Sequence, residues 1–212
     1  LSIPLPAELY GQLRANSKGL DLANDSALVQ LNQTAQQFAK HQWSAAPMGE
    51  HFQTNDAVAP QSIINPARHS DVVGYVQEAT TEQVEQALNN AQAVQDIWAR
   101  TAKDTRASYL LRAADLMEAR LEELMVLLCR ESGKTYANAI AEVREAVDFL
   151  RYYATQMIDL DANAEVEPLG TMLCISPWNF PLAIFTGQVA AALVAGNTVI
   201  AKPAEQTPLI AA

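Results

Sequence analysis

The spacing of apolar residues predicts the elements of the first third of the chain. The stretch before Ser26 is rich in proline and polar residues and predicts irregular structure. Apolar residues at helical spacing then predict a helix from Ser26 to near His41, and residues 47–60 predict a loop. Two short strands around a turn follow, at 62–66 and 71–76.

Three amphipathic helices are predicted after these strands. The first begins at Thr80, with Gln83 at the spacing of a capping box. The second starts after Asp104 and continues to Gly133, a residue that commonly ends helices in the left-handed conformation. The third carries its apolar face over residues 140–157. Helices of this kind need an apolar partner, so we expect them to pack around a sheet.

Residues 168–201 contain no charged side chain and are numerous enough to cross a bilayer. Glycine, proline and asparagine interrupt the stretch, however, which favours buried strands and a helix over a membrane span. The predicted order is strand, helix and strand, at 171–175, 182–195 and 198–201. Thr207 is then predicted to cap a new helix that has Pro208 at its first position. This right-handed βαβ unit predicts an α/β fold with a parallel, nucleotide-binding sheet.

Composition narrows the classes of partner. With 212 residues, 50% of them hydrophobic, the chain can bury one main core. Its net charge of −10 disfavours contact with nucleic acid or with anionic lipid. The two cysteines and three histidines lack the spacing of metal ligands, so we expect no metal site. We expect both cysteines to be small buried side chains in a reducing cytoplasm.

Candidate chemistry lies where the strands of the βαβ unit end, because parallel sheets bind dinucleotides at the carboxyl ends of their strands. Asn179 lies between Pro177 and Pro181, which restrict the backbone, and an amide in a fixed orientation can stabilise a developing oxyanion. Lys202 and Glu205 follow the next strand and can bond ribose hydroxyls or phosphate. Neither GxGxxG nor GxxxxGK[ST] occurs in the chain.

Simpler interpretations of the same residues stay open at this point. Trp178 and Phe180 could be core aromatics around a turn residue, Asn179. Lys202 could be a solvated cation, and Glu205 a carboxylate that interacts with the dipole of the following helix. The residues alone therefore predict a βαβ protein with a candidate nucleotide site.

A resemblance to a known family adds to this prediction. Residues 177–181, Pro-Trp-Asn-Phe-Pro, followed by 196–208 resemble the signature of the aldehyde dehydrogenase superfamily. The segments 131–134 and 142–154 also resemble family segments, and the resemblance extends from about Ile63 to the end of the chain. It implies an aldehyde dehydrogenase-like fold with an incomplete Rossmann-like parallel sheet and flanking helices.

Within the family, residues 175–188 resemble the L-glutamate γ-semialdehyde dehydrogenase half of bacterial bifunctional proline-utilization enzymes. Residues 16–22 resemble the stretch that precedes this half in those enzymes. The resemblance implies two regions. Residues 1–60 would be a linker and N-terminal helical segment, and residues 61–212 the N-terminal part of the NAD-binding domain.

The resemblance also implies roles for individual residues. A cysteine thiolate attacks the aldehyde, the amide that matches Asn179 stabilises the oxyanion, and a glutamate activates the hydrolytic water. Lys202 and Glu205 match the residues that hold the adenosine ribose, and the charge of Glu205 favours NAD over NADP. Four further residues would line the path of the cofactor: Ile175, Ser176, Pro177 and Trp178.

The family's nucleophilic cysteine and basic glutamate lie beyond Ala212, and neither Cys129 nor Cys174 matches the nucleophile. We therefore expect the chain by itself to be inactive and to self-associate through uncovered sheet edges and apolar faces.

For the parent protein we expect cytoplasmic, NAD-dependent oxidation of L-glutamate γ-semialdehyde to L-glutamate by a homo-oligomer. The parent would also carry an FAD-dependent proline dehydrogenase and could lie at the inner membrane. The alternatives are an aldehyde dehydrogenase of other specificity and a non-catalytic assembly module.

Overall fold

The computed structural model describes residues 3–49, 59–160 and 166–212. Its α-helices are α1 (Asp25–Gln37), α2 (Thr81–Arg100), α3 (Lys103–Ala119), α4 (Leu121–Ser132), α5 (Tyr136–Asp159), α6 (Ala183–Val194) and α7 (Pro208–Ala211). Its strands are β1 (Trp43–Ala45), β2 (Gln61–Ile64), β3 (Val72–Val76), β4 (Thr171–Ile175) and β5 (Thr198–Lys202). The larger part of the predicted loop at 47–60, with His51, lies outside the described residues.

The N-terminal region agrees with the prediction except at one strand. A 3-10 turn, Pro6–Glu8, interrupts an otherwise irregular stretch before α1, and α1 ends at Gln37, before the predicted end near His41. Strand β1 was not predicted, because three residues are too few to show a period. It pairs in parallel with β3, and β2 pairs with β3 in the antiparallel direction.

The capping box at the start of α2 is confirmed. The Gln83 amide donates to the Thr80 hydroxyl at 3.2 Å, and the Thr80 amide donates to the Gln83 side chain at 2.9 Å. The prediction of one helix from Asp104 to Gly133 is wrong, because the chain breaks at Arg120 into α3 and α4. The break changes the partners of the chain: α3 packs against α5 and α6, whereas α4 also contacts α1 and α7. Gly133 ends α4 as predicted, with a φ of 68°.

Helix α5 forms the centre of the core. It contacts α3, α4 and α6, and its fully buried apolar side chains include Val143, Ala146 and Val147. Helix α6 approaches it closely at Gly187, where a Cβ atom would lie 2.9 Å from the Phe149 ring. The close approach therefore needs glycine on α6.

The predicted βαβ unit is present. Strands β4 and β5 are parallel neighbours, in register from Thr171 opposite Thr198 to Ile175 opposite Lys202, with α6 between them in sequence. Helices α2 and α6 both contact these strands. Nowhere in the described ranges is there a helix with both the length and the apolar composition to cross a membrane.

One detail of the prediction at the last helix is wrong. Pro208 is the first residue of α7, but the Thr207 side chain makes no capping hydrogen bond. Instead, the carboxylate of Glu131 on α4 accepts hydrogen bonds from the Leu209 and Ile210 amides, at 2.7 and 2.9 Å. A side chain from another helix therefore serves as the cap.

Candidate active site

The candidate site lies where β4 and β5 end together. Ile175 is opposite Lys202 in the sheet, and the Ser176 amide donates to the Lys202 carbonyl at 3.2 Å. Residues 176–182 and 203–207 therefore leave the sheet at the same edge. This confirms the neighbouring parallel strands on which the predicted site depends, and it places Ile175, Ser176 and Lys202 together.

The apolar residues at this edge face outward. Ile175 is 56% exposed, Trp178 55% and Phe180 41%, so the interpretation of the two aromatics as core residues is wrong for this chain. Pro177 is half-buried. Ser176 is buried, and its hydroxyl has no hydrogen-bond partner within the described residues. The edge thus combines an open apolar surface with a buried hydroxyl.

The charged residues of the predicted site are exposed. The Lys202 ammonium donates to the Pro203 carbonyl at 3.1 Å, and the Glu205 carboxylate accepts from the side-chain amide of Gln206 at 3.0 Å. Asn179 is exposed in a bend that leads into α6. Across the part of the chain that is described, no hydrogen bond joins the Asn179 side chain to Lys202 or Glu205, so their convergence on one ligand remains a prediction.

Two residues of this region were not assigned a role from the sequence. The Lys134 ammonium donates to the Asn179 carbonyl at 2.8 Å and forms an ion pair with the Glu142 carboxylate at 2.9 Å. The other oxygen of Glu142 accepts from the Leu182 and Ala183 amides, each at 3.0 Å. The ion pair therefore contacts the loop after β4 at two places.

A signal for these contacts is present in the sequence. Glu131 follows Leu127 and Leu128 at helical spacing on α4, and Glu142 lies within the apolar face of α5. The two residues are 3% and 2% exposed in the structure. A carboxylate on the buried face of a helix needs hydrogen-bond donors, and the first amides of another helix supply them. The amide donors cannot be identified from sequence, because they lie 40 to 79 residues downstream, where only tertiary packing brings them near.

The cysteines of the chain are not equipped as nucleophiles. Cys129 is partly buried, and desolvation raises the pKa of its thiol to about 11. Burial also raises the pKa of Cys174 above its usual value. Since the thiolate is the reactive form, the raised pKa disfavours nucleophilic attack by either thiol. No cluster of three or more His, Cys, Asp or Glu side chains suited to a metal occurs within the described ranges.

Comparisons with known proteins identify the family. Residues 52–212 match the aldehyde dehydrogenase family. The bifunctional protein PutA of Escherichia coli strain K12 is 57% identical over 210 residues, which cover 99% of this chain and 16% of PutA. The 1-pyrroline-5-carboxylate dehydrogenase of Anoxybacillus flavithermus is 39% identical over 201 residues, covering 89% of this chain and 38% of that enzyme.

Solved structures show the same fold. The 1-pyrroline-5-carboxylate dehydrogenase from Thermus, crystallised with bound NAD, superposes with a TM-score of 0.85 at 31% identity, covering 92% of this chain and 40% of that one. Proline utilization A from Bdellovibrio bacteriovorus gives a TM-score of 0.85 at 32% identity, covering 92% of this chain and 22% of that one. The predicted fold and the resemblance to proline-utilization enzymes are confirmed, and the chain belongs to the aldehyde dehydrogenase family.

Proposed function

We propose that this chain contributes the first part of the cofactor site of an NAD-dependent aldehyde dehydrogenase. In the parent protein this enzyme would oxidise L-glutamate γ-semialdehyde to L-glutamate in proline catabolism. The observation that carries the proposal is the common edge of β4 and β5, where Ile175 lies opposite Lys202 and the loop that carries Asn179 leaves the sheet.

The residues at this edge fit NAD. The exposed side chains of Ile175 and Trp178 offer an apolar surface to its flat rings. Lys202 and Glu205 are exposed and offer a donor and an acceptor to the ribose hydroxyls, while the buried hydroxyl of Ser176 adds an unused polar group. The carboxylate of Glu205 would repel a 2′-phosphate, which favours NAD over NADP.

Asn179 is the residue we assign to the reacting carbonyl. Its side-chain amide would donate to the oxygen that becomes negatively charged when a thiolate adds to the aldehyde. The thiolate and the general base would come from the part of the relatives that this chain does not span, since Cys129 and Cys174 stay protonated. Bound NAD would accept the hydride of the aldehyde carbon.

The substrate and the parent protein are inferred from the relatives. The relatives include bifunctional PutA proteins, of which the chain spans 16% in Escherichia coli, and 1-pyrroline-5-carboxylate dehydrogenases, of which it spans 38% in Anoxybacillus flavithermus. We infer a bifunctional parent in which FAD belongs to a separate proline dehydrogenase. We also infer a homo-oligomer in the cytoplasm.

The chain by itself should form no NADH, because no thiol in it is poised as the nucleophile. It should also self-associate, since among the described strands β4 and β5 pair only with each other. NADH absorbance with the semialdehyde and light scattering in dilute solution measure the two properties. Activity that follows the purified chain, or a monomer at tens of micromolar, roughly, would contradict them.

Kinetics of the full-length protein test the assignment of the site. Asn179→Ala should lower kcat roughly a hundredfold, and Glu205→Gln should mainly weaken NAD binding. Asn32→Ala on α1 and Glu85→Gln on α2 replace exposed residues of the same types far along the chain, and both should behave as wild type. If the Asn179 and Glu205 variants match these controls, the site is misplaced. Faster turnover of another aldehyde would contradict the proposed substrate but not the assignment of the site.

A further inference from the structure

The loop that carries Asn179 is held from outside by one lysine. The Lys134 ammonium bonds the Asn179 carbonyl at 2.8 Å and lies 5.1 Å from the centre of the Phe180 ring. Pro177 and Pro181 have no amide hydrogen, so the loop has few donors with which to fix its own backbone. Lys134 therefore supplies a hydrogen bond to the backbone of this loop at Asn179 itself.

The lysine is itself fixed by a buried carboxylate. Glu142 has a side chain 1% exposed and lies 2.9 Å from the Lys134 ammonium, whose side chain is 13% exposed. Its second oxygen accepts from the Leu182 and Ala183 amides at 3.0 Å, where α6 begins. The segment from Asn179 to Ala183 is thus tied at both ends to one ion pair between α5 and the turn that precedes it.

We propose that Lys134 and Glu142 are positioning residues that orient the Asn179 amide toward the reacting carbonyl oxygen. This inference rests on the proposed role of Asn179 as the oxyanion donor. An oxyanion donor stabilises the transition state only when it is held in place before the reaction, and a displacement of about 1 Å can cost roughly a hundredfold in rate. The ion pair supplies that restraint without touching the substrate.

The test uses the full-length protein and two variants. Lys134→Met removes the ammonium but leaves Glu142 buried without its cation, which threatens folding. Lys134→Met/Glu142→Gln removes both charges, while the Gln carbonyl oxygen can still accept from the Leu182 and Ala183 amides. Lys103→Met is the matched control, because the Lys103 ammonium also bonds backbone carbonyls, those of Ile158 and Leu160, in another part of the domain.

Three readouts separate positioning from stability: the melting temperature, kcat for the aldehyde and the dissociation constant of NAD. The double variant should recover most of the melting temperature lost in Lys134→Met, yet both should keep a kcat lowered roughly tenfold or more. NAD binding should stay within about twofold of wild type, and Lys103→Met should keep wild-type kcat. Added to Asn179→Ala, the double change should lower kcat no further, because its effect passes through Asn179.

Wild-type kcat in the double variant, with Asn179→Ala impaired, would overturn this inference and leave the proposed function standing. Additive losses in the combined variant would also overturn it, because the ion pair would then act elsewhere. If Asn179→Ala itself turned over like wild type, the role of Asn179 would be wrong, and the positioning role would fall with it. Should Lys134→Met not fold, the double variant decides.

Discussion

Helices α6 and α7 follow the two strands of the βαβ unit, and each begins on a buried carboxylate from an earlier helix. Glu142 on α5 accepts from two amides at the start of α6, and Glu131 on α4 accepts from two amides at the start of α7. Glu142 has Lys134 at 2.9 Å, whereas no ion pair involves Glu131 within the described residues. At both of these junctions, the starts of α6 and α7, a buried carboxylate accepts hydrogen bonds from the first amides of the helix. They differ because only the carboxylate at α6 has a cation beside it within the described residues.

The difference shows what a cation contributes to a buried cap. Burial raises the pKa of Glu131 to about 7 despite the two amide hydrogen bonds, which lower it. Amide donors alone therefore do not offset the desolvation of this carboxylate. At the start of α6 the Glu142 carboxylate has a cation, Lys134, 2.9 Å away, and that cation also bonds the loop that carries Asn179.

The largest effect should follow the loss of the cation. Lys134→Met leaves the Glu142 carboxyl, whose side chain is 1% exposed, buried without its cation, so we expect a loss of roughly 3–5 kcal/mol in the free energy of unfolding. Urea unfolding of the 212-residue chain measures this loss. Lys103→Met removes only hydrogen bonds to carbonyls and should cost about 1 kcal/mol. Equal losses in the two variants would contradict the role of Lys134 as the cation of a buried carboxylate.

Glu131 should make stability depend on pH. Between about pH 4.5 and 7 the folded chain keeps a proton that the unfolded chain has released, so the free energy of unfolding falls as pH rises through this range. The fall should total on the order of 3 kcal/mol and end near pH 7. Glu131→Gln cannot titrate and should flatten this part of the profile. A wild-type profile that rises from pH 4.5 to 7 after subtraction of the variant's profile would contradict the assignment.

Gly133 lies directly after α4, between Glu131 and Lys134 in the sequence. Its φ of 68° is left-handed, and a Cβ atom would lie 3.0 Å from Pro66. We expect Gly133→Ala to cost roughly 1–2 kcal/mol of unfolding free energy, and Gly133→Asn to cost less, since asparagine tolerates this conformation. Urea unfolding of both variants checks the order, and an alanine variant as stable as wild type would contradict it.

The smallest effect should come from Thr207, whose buried hydroxyl has no hydrogen-bond partner in the described part of the chain. Thr207→Val should change the free energy of unfolding by no more than about 0.5 kcal/mol. Thr80→Val is the matched control, because Thr80 caps α2 with its side chain, and it should cost about 1 kcal/mol. A larger loss of unfolding free energy in Thr207→Val than in Thr80→Val would show that Thr207 does cap α7.

The sequence predicts those parts of the fold that local chemistry determines. The capping box at Thr80, the end of α4 at Gly133 and the βαβ unit all follow from spacing and side-chain type. The break at Arg120 could not be predicted, because the apolar spacing continues through it and only the packing of α3 and α4 against different partners requires it.

The same limit applies to the site. Asn179, Lys202 and Glu205 are predicted as site residues from their positions after two strands and from the family motif, and their roles stay predictions. The roles of Lys134 and Glu142 depend on contacts between elements distant in sequence, so the motif that contains Lys134 gave no indication of them. The predicted cap at Thr207 failed for this reason too, since Glu131 satisfies the same amides.

A crystal structure of the full-length protein with NAD would show whether the cofactor binds at the common edge of β4 and β5. We expect it there, with ribose hydroxyls within hydrogen-bond distance, about 3 Å, of the Lys202 ammonium and the Glu205 carboxylate. The Lys134 ammonium should still bond the Asn179 carbonyl. NAD bound elsewhere, such as the groove between α2 and β5 lined by Trp98 and Val199, would contradict the assignment of this edge.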